Sequence, residues 1–155
     1  MEGLRALGEH AQQAGIPVAV EPLNRFETYF INSQADTAAL MDEVGIDCMG
    51  LMYDTFHANI EEKDHAGSIR DGARHLKHVH ISANDRATPG EDHIDYGAVK
   101  NVLAEVGYDG WLTLEAFGHA LPELAGATCI WRAMAPNDDY IAEQGIKFIR
   151  ETFLD

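Results

Sequence analysis

Four residues in this chain have the types and the spacing to hold a metal ion and to move protons: Glu21, Asp54, His80 and Glu115. Each stands at or near the end of a short apolar segment that reads as a strand. Three carboxylates and one imidazole suit a hard divalent ion such as Mn²⁺, Mg²⁺ or Co²⁺, with positions left open for a substrate. A structural zinc site would ordinarily contain thiolate. Taken singly, each acid reads better as a helix cap or a solvated loop residue. Four in equivalent positions point to a metal. Further polar residues follow in the loops: Glu27 comes six residues after Glu21, His57 three after Asp54, and Arg86 six after His80. Alone, His57 reads as a satisfied loop histidine and Arg86 as a surface charge partner.

The elements that must position these groups alternate regularly. Residues 2–14 read as a helix with Leu4, Leu7 and Ala11 on one face and Gly15 as its stop. Strands are predicted over 18–23, 49–54, 75–82 and 111–117, the first closed by Pro22, which cannot donate to a sheet ladder. Ser33 is a natural N-cap for a helix carrying Ala38, Leu40, Met41 and Val44 and ended by Gly45. Further helices are predicted over 64–74, 95–106 and 138–153. His78, beside His80, is expected on the other face of its strand or outward among the helices. His10, His65, His75, His93 and His119 are expected to be structural or exposed. Tyr53, Trp111 and Phe117 are expected to pack.

Strand–helix alternation implies parallel strands joined by right-handed crossovers, hence an α/β fold. An open flavodoxin-like sheet fits that pattern alone. Functional residues at the carboxyl ends of four successive strands fit a TIM barrel better. A complete barrel needs roughly 250 residues and eight strands, and this chain of 155 residues has about half of each.

Composition narrows the partners. Twenty-six acids against eleven lysines and arginines give a net charge of −15, which would repel polyphosphate; no nucleic acid partner is expected. No apolar run reaches the ~18 residues that a membrane span needs, and Met1-Glu-Gly-Leu-Arg5 does not read as a signal peptide. The two cysteines, Cys48 and Cys129, form no CxxC pair, so a reducing cytoplasm is expected. Nothing in the composition divides the chain, and a single domain over 1–155 is expected.

The segments Val20-Glu-Pro-Leu-Asn-Arg-Phe-Glu27, Tyr53-Asp-Thr-Phe-His57, His78-Val-His-Ile-Ser-Ala-Asn-Asp-Arg86 and Leu114-Glu-Ala-Phe117 together resemble the D-tagatose/D-psicose 3-epimerase family, of the xylose-isomerase-like TIM barrels. The resemblance covers nearly the whole chain and corresponds to the carboxyl-terminal half of the family's barrel. It implies that Glu21, Asp54, His80 and Glu115 bind a metal, Mn²⁺ first and Co²⁺ or Mg²⁺ as alternatives. It implies that Glu21 and Glu115 are also the acid–base pair, and that Glu27, His57 and Arg86 hold the O1–O3 end of a ketose. The chemistry has a clear logic. Inverting C3 requires a proton to leave one face and another to arrive on the opposite face, so two bases are needed. The charge developing on O2 and O3 calls for a cation.

A four-stranded half-barrel leaves one sheet face bare, and that face is expected to be apolar and in need of a cover. Two copies pairing edge to edge, strand 18–23 of one against strand 111–117 of the other, would supply it. A non-catalytic half-barrel that retains the metal site, or a related aldose–ketose isomerase, is the alternative reading. A phosphodiester-cleaving trinuclear zinc enzyme is disfavoured by the charge and by too few strand-end ligands.

Overall fold

The computed structural model describes residues 1–154. Four strands, β1 (Val18–Val20), β2 (Met49–Asp54), β3 (Leu76–Ile81) and β4 (Leu112–Leu114), form one parallel sheet in the order β1-β2-β3-β4. Neighbours in sequence are neighbours in space throughout. A doubly wound sheet reverses its strand order at a switch point; this one never reverses, which is the arrangement of a barrel wall. Among the described residues, the outer edges of β1 and β4 have no strand partner.

The helices are α1 (Glu2–Ala14), α2 (Gln34–Val44), α3 (Thr55–Glu61), α4 (Ser68–Gly72), α5 (Tyr96–Glu105), α6 (Pro122–Ala127) and α7 (Asp138–Ile149). Their ends follow local chemistry. Ser33 accepts from the Asp36 N–H at 3.1 Å, and Gly45 closes α2 in the left-handed region. Asp95 caps α5 through the Ala98 N–H. In α1 the inward residues are Gly8 and Ala11, with Leu4 partly buried, whereas Leu7 is exposed, contrary to expectation. The helix lies so close to Ile46 and Met49 that only a glycine fits at position 8, and this contact sets its rotation.

The core lies between sheet and helices. Tyr53, Val79 and Ile81 pack with Ile69, Val99 and Leu103; a smaller cluster joins Met49 to Met41 and Val44. Tyr53 packs as expected, fully buried, with its hydroxyl at 2.9 Å from His65 Nδ1. Trp111 does not: it is 80% exposed beside the open edge of β4. The first, third and fourth strands are shorter than predicted, because Pro22 ends pairing after β1 and β4 lacks an outer partner. The predicted 64–74 helix is a five-residue α4 followed by a 3₁₀ turn at Ala73–His75. Helices α3 and α6 were not foreseen.

One irregularity sets the phase of the site. Leu51 pairs with Leu76 but Met52 pairs with His78, so Lys77 is an extra residue, a bulge in β3. Leu76, Val79 and Ile81 consequently all pack toward the helices. His78 and His80 both face the opposite side, with ring centroids 5.1 Å apart. The expectation that His78 points away from His80 was wrong, since residues two apart on a strand share a face. By the same alternation the bare face carries Ala19, Gly50, Met52, His78 and Thr113, with His78 Nε2 3.0 Å from Thr113 Oγ1. It is small and polar rather than broadly apolar.

Gly50 makes the bulge possible: a Cβ there would lie 2.3 Å from both the His75 carbonyl oxygen and Lys77 Cγ. Gly50→Ala is therefore expected to cost on the order of 1–3 kcal/mol in urea unfolding. Because the bulge turns His80 toward the site, the same variant should also bind Mn²⁺ less tightly in titration calorimetry. Unchanged stability and affinity would show that the bulge does not set the phase.

Candidate metal centre

The carboxyl ends of the four strands deliver one polar residue each. Glu21 and Glu115 come immediately after β1 and β4, Asp54 is the last residue of β2, and His80 is the penultimate residue of β3. Parallel strands with matched register bring them to one level: Asp54 pairs with His80, and His80 with Thr113. One donor atom from each of the four lies within 4.8 Å of the others.

Asp54 shows how one side chain serves two roles. Its Oδ1 accepts from the backbone N–H groups of Phe56 (2.7 Å) and His57 (3.1 Å), capping α3. Oδ2 is left for the site. The cap and the ligand readings of this acid are thus compatible, one per oxygen. His80 Nδ1 approaches Asp54 Oδ2 at 3.4 Å and Glu115 Oε1 at 3.2 Å. Yet Glu21 Oε1, Asp54 Oδ2 and His80 Nδ1 are all buried without a well-aligned hydrogen-bond partner. Buried polar atoms without partners are costly. Three converging on one point fit a divalent cation at their centre.

The electrostatics agree. Burial, reinforced by the carboxylates of Asp54 and Glu115, raises Glu21 to about 7. Burial opposes a charged His80, but the Asp54 and Glu115 carboxylates beside it prevail and raise it to about 10. Burial likewise opposes ionisation of Glu115, and His80 overrides it, holding that carboxyl below its ordinary range. Without a cation the cluster keeps protons to limit its own repulsion.

Glu27, His57 and Arg86 gather beside this group. Arg86 Nη2 pairs with Glu27 Oε1 at 3.0 Å, and His57 Nε2 lies 3.8 Å from Glu21 Oε1. Burial lowers the His57 pKa, favouring a neutral ring. Arg86 is buried against aromatic faces, its guanidinium carbon 4.1 Å from the Phe56 centroid and 5.4 Å from that of Phe117. Its φ of 62° is unusual for a side-chain-bearing residue. The Arg86 N–H donates to Ala83 O and its carbonyl accepts from Phe117 N–H at 2.7 Å, which holds that conformation.

Two contributors were not visible in the sequence reading. Phe56 seats Arg86 from the unforeseen helix α3, and Asn24, 2% exposed, bonds to both His57 and Glu27. An Asp closing a strand ahead of Thr-Phe-His was a signal for a capped helix there. Of the remaining histidines, His75 bonds Asp42, His65 bonds Thr55 O, and His119 meets Ile130 O. His10 and His93 are exposed.

Residues 1–152 match the family model described as xylose isomerase-like TIM barrel. The chain is 38% identical over 152 residues to a probable ketose 3-epimerase of Synechocystis sp., covering 98% of this chain and 53% of that protein. It is 30% identical to an L-ribulose 3-epimerase of Methylomonas sp., over 97% of this chain and 53% of the relative. A crystal structure of D-psicose 3-epimerase with D-tagatose from Clostridium cellulolyticum superposes with a TM-score of 0.92 at 28% identity, covering 98% of this chain and 54% of the other. The chain spans about half the length of the relatives it matches.

Metal binding to this cluster must displace the protons on Glu21 and His80, so affinity should rise with pH. Below the Glu21 value of about 7 two protons leave, giving on the order of a hundredfold in Mn²⁺ affinity per pH unit. Between that value and the His80 value of about 10 one proton leaves, giving on the order of tenfold per unit. In the metal-free chain both groups bind protons more tightly folded than unfolded, so stability should fall as pH rises through them. Calorimetric titration from pH 6 to 8 and thermal melts check both; a pH-independent affinity would exclude this cluster as the metal site.

Proposed function

The chain belongs to the xylose isomerase-like TIM barrel family, and on that premise we propose that it is a divalent-metal-dependent ketose 3-epimerase of the D-tagatose/D-psicose type. One observation carries the reading. Glu21 follows the first strand of the sheet and Glu115 the last, so two carboxylates reach a common point from opposite flanks. Inversion at a carbon α to a carbonyl needs that arrangement, because a single base would return the proton to the face it came from.

Glu21, Asp54, His80 and Glu115 would hold the metal, with Mn²⁺ the best fit and Co²⁺ or Mg²⁺ acceptable to the same hard donor set. When bound, the cation supplies stabilisation of the negative charge that develops on the sugar as its C3 proton leaves. The remaining roles belong to side chains. One of Glu21 and Glu115, as the carboxylate, accepts the C3 proton, and the other, having taken up a proton from solvent, donates it to the opposite face. The pair ends with its protonation exchanged, set for the reverse direction, and proton exchange with solvent resets it for the forward one. Glu27, His57 and Arg86 hold the O1–O3 end of the ketose. The buried Arg86, fixed against Phe56, orients the sugar so that C3 lies between the two carboxylates.

We further propose that two copies of the chain associate through the free edges of β1 and β4. The support is the pair of unpaired strand edges and the exposed Trp111 beside one of them. The free thiols of Cys48 and Cys129 are in keeping with a cytoplasmic setting.

Glu115→Gln is expected to lower interconversion of D-fructose and D-psicose by roughly 10²–10⁴-fold, with parallel loss of C3 deuterium exchange in D₂O. Asp54→Asn should lose Mn²⁺ binding and turnover together. A wild-type chain that binds Mn²⁺ but never exchanges the C3 proton would be a metal-binding half-barrel without this activity. Light scattering with and without Mn²⁺ should show a dimer; a monomer under both conditions rules out the two-copy arrangement.

A further inference from the structure

Resting on this reading of the site, we propose that Asn24 is a positioning residue: it fixes His57 as the Nε2–H tautomer and so makes His57 and Arg86 two converging donors for one sugar oxygen. The argument begins with the backbone. The Asn24 N–H donates to His57 Nδ1 at 3.0 Å. A backbone N–H can only donate, and so can the Arg86 guanidinium that faces Nε2 at 3.3 Å. A neutral ring accepts at one nitrogen only, and the shorter contacts from Asn24 at Nδ1 place the ring proton on Nε2.

The Asn24 side chain adds a second constraint. Its Oδ1 accepts from the Phe26 N–H at 3.0 Å, which settles the amide orientation. Nδ2 therefore faces Glu27 Oε1 at 2.9 Å and His57 Nδ1 at 3.0 Å. Both Asn24 donors thus point at the same ring nitrogen, and Nδ2 also holds Glu27. With Arg86 on the same Glu27 oxygen, Oε2 of that carboxylate is left for a ligand.

The consequence lies on the other side of the ring. Arg86 Nη2 sits 3.3 Å from His57 Nε2. In the Nε2–H tautomer the Arg86 N–H directed at Nε2 finds no lone pair there, so this approach is not a hydrogen bond. It is a pair of donors side by side. Arg86 Nε is also buried without a partner. An oxygen placed against Nε2–H and the guanidinium would give an acceptor to Nε2–H and to the unpartnered Arg86 Nε, beside the ion pair that Nη2 makes with Glu27. Were Nδ1 protonated instead, Nε2 would present a lone pair there, able to accept from a hydroxyl but repelling a carbonyl or oxyanion oxygen.

The test is the tautomer itself. Long-range ¹H–¹⁵N correlation spectra of the ¹⁵N-labelled protein, metal-free and with Mg²⁺, should show His57 with a pyrrole-type Nε2 and a pyridine-type Nδ1. The reverse pattern overturns the proposal. Asn24→Asp keeps the backbone donor but replaces the amide N–H facing Nδ1 with a carboxylate oxygen that repels the Nδ1 lone pair. It should shift the spectra partway toward an Nδ1–H form and weaken D-fructose binding about tenfold or more. Asn24→Ala retains the backbone donor and should keep the Nε2–H pattern. An Asn24→Asp protein with the wild-type pattern and wild-type D-fructose binding would show that Asn24 positions nothing. The spectra need no turnover. An Nε2–H pattern in a chain that never converts D-fructose would count against the epimerase and leave this inference standing; Nδ1–H in an active chain would do the opposite.

Discussion

Carboxylates gathered at one point, where their repulsion calls for a cation between them, are the constraint around which this chain is built. Three carboxylates and an imidazole have donor atoms within 4.8 Å of one another, three of those atoms buried and poorly partnered. No local preference of a strand or helix would assemble that group. Protonation of Glu21 and His80 relieves the repulsion in part, at the expense of leaving donors and acceptors misaligned. A divalent cation resolves both problems at once. The site is therefore locally unfavourable by itself, and the surrounding packing must hold it in place.

That packing acts through the sheet. Parallel strands in unbroken order place all four carboxyl ends at one mouth, and helices on the far face bury Tyr53, Val79 and Ile81 behind them. The bulge at Lys77 is the adjustment that matches the two demands: Leu76 can stay in the helix-side core while His80 turns to the site. The capping of α3 by Asp54 ties the same strand end to the helix that carries His57 and Phe56. Arg25 straps the loop after β1 to that helix with a bidentate pairing to Glu61, 2.9 Å at Nη2. Glu27, His57 and Arg86 are thus braced against each other rather than carried on free loops.

The bare face changes how the half-barrel should be viewed. Small and polar residues line it below the site, so its need for a cover is less a matter of hiding apolar surface than of completing unpaired strand edges and enclosing the mouth. Trp111, Trp131 and the loop aromatics Phe26, Tyr29 and Phe30 are among the larger apolar groups left in solvent. The loop aromatics lie on the segment that carries Glu27, so enclosure and the substrate end of the site are linked.

Much was legible from residues alone. Alternating elements, the cap at Ser33, glycine stops and strand-end acids are local signals, because each depends on a residue and a few neighbours along the chain. They determined the α/β class, the helix and strand positions and the identity of the four strand-end residues. Strand lengths and the rotation of α1 about Gly8 depended on contacts with residues tens of positions away and were misjudged; the facing of His78 was misjudged although the two-residue period of its own strand sets it. The tertiary structure alone decided that the four donors share one point, that Asp54 divides its oxygens between a helix and the site, and that Asn24 is buried against His57. The physical reason is range: propensity and patterning act over a turn or a strand, whereas a shared coordination point is a property of register between strands, which only the packed sheet defines.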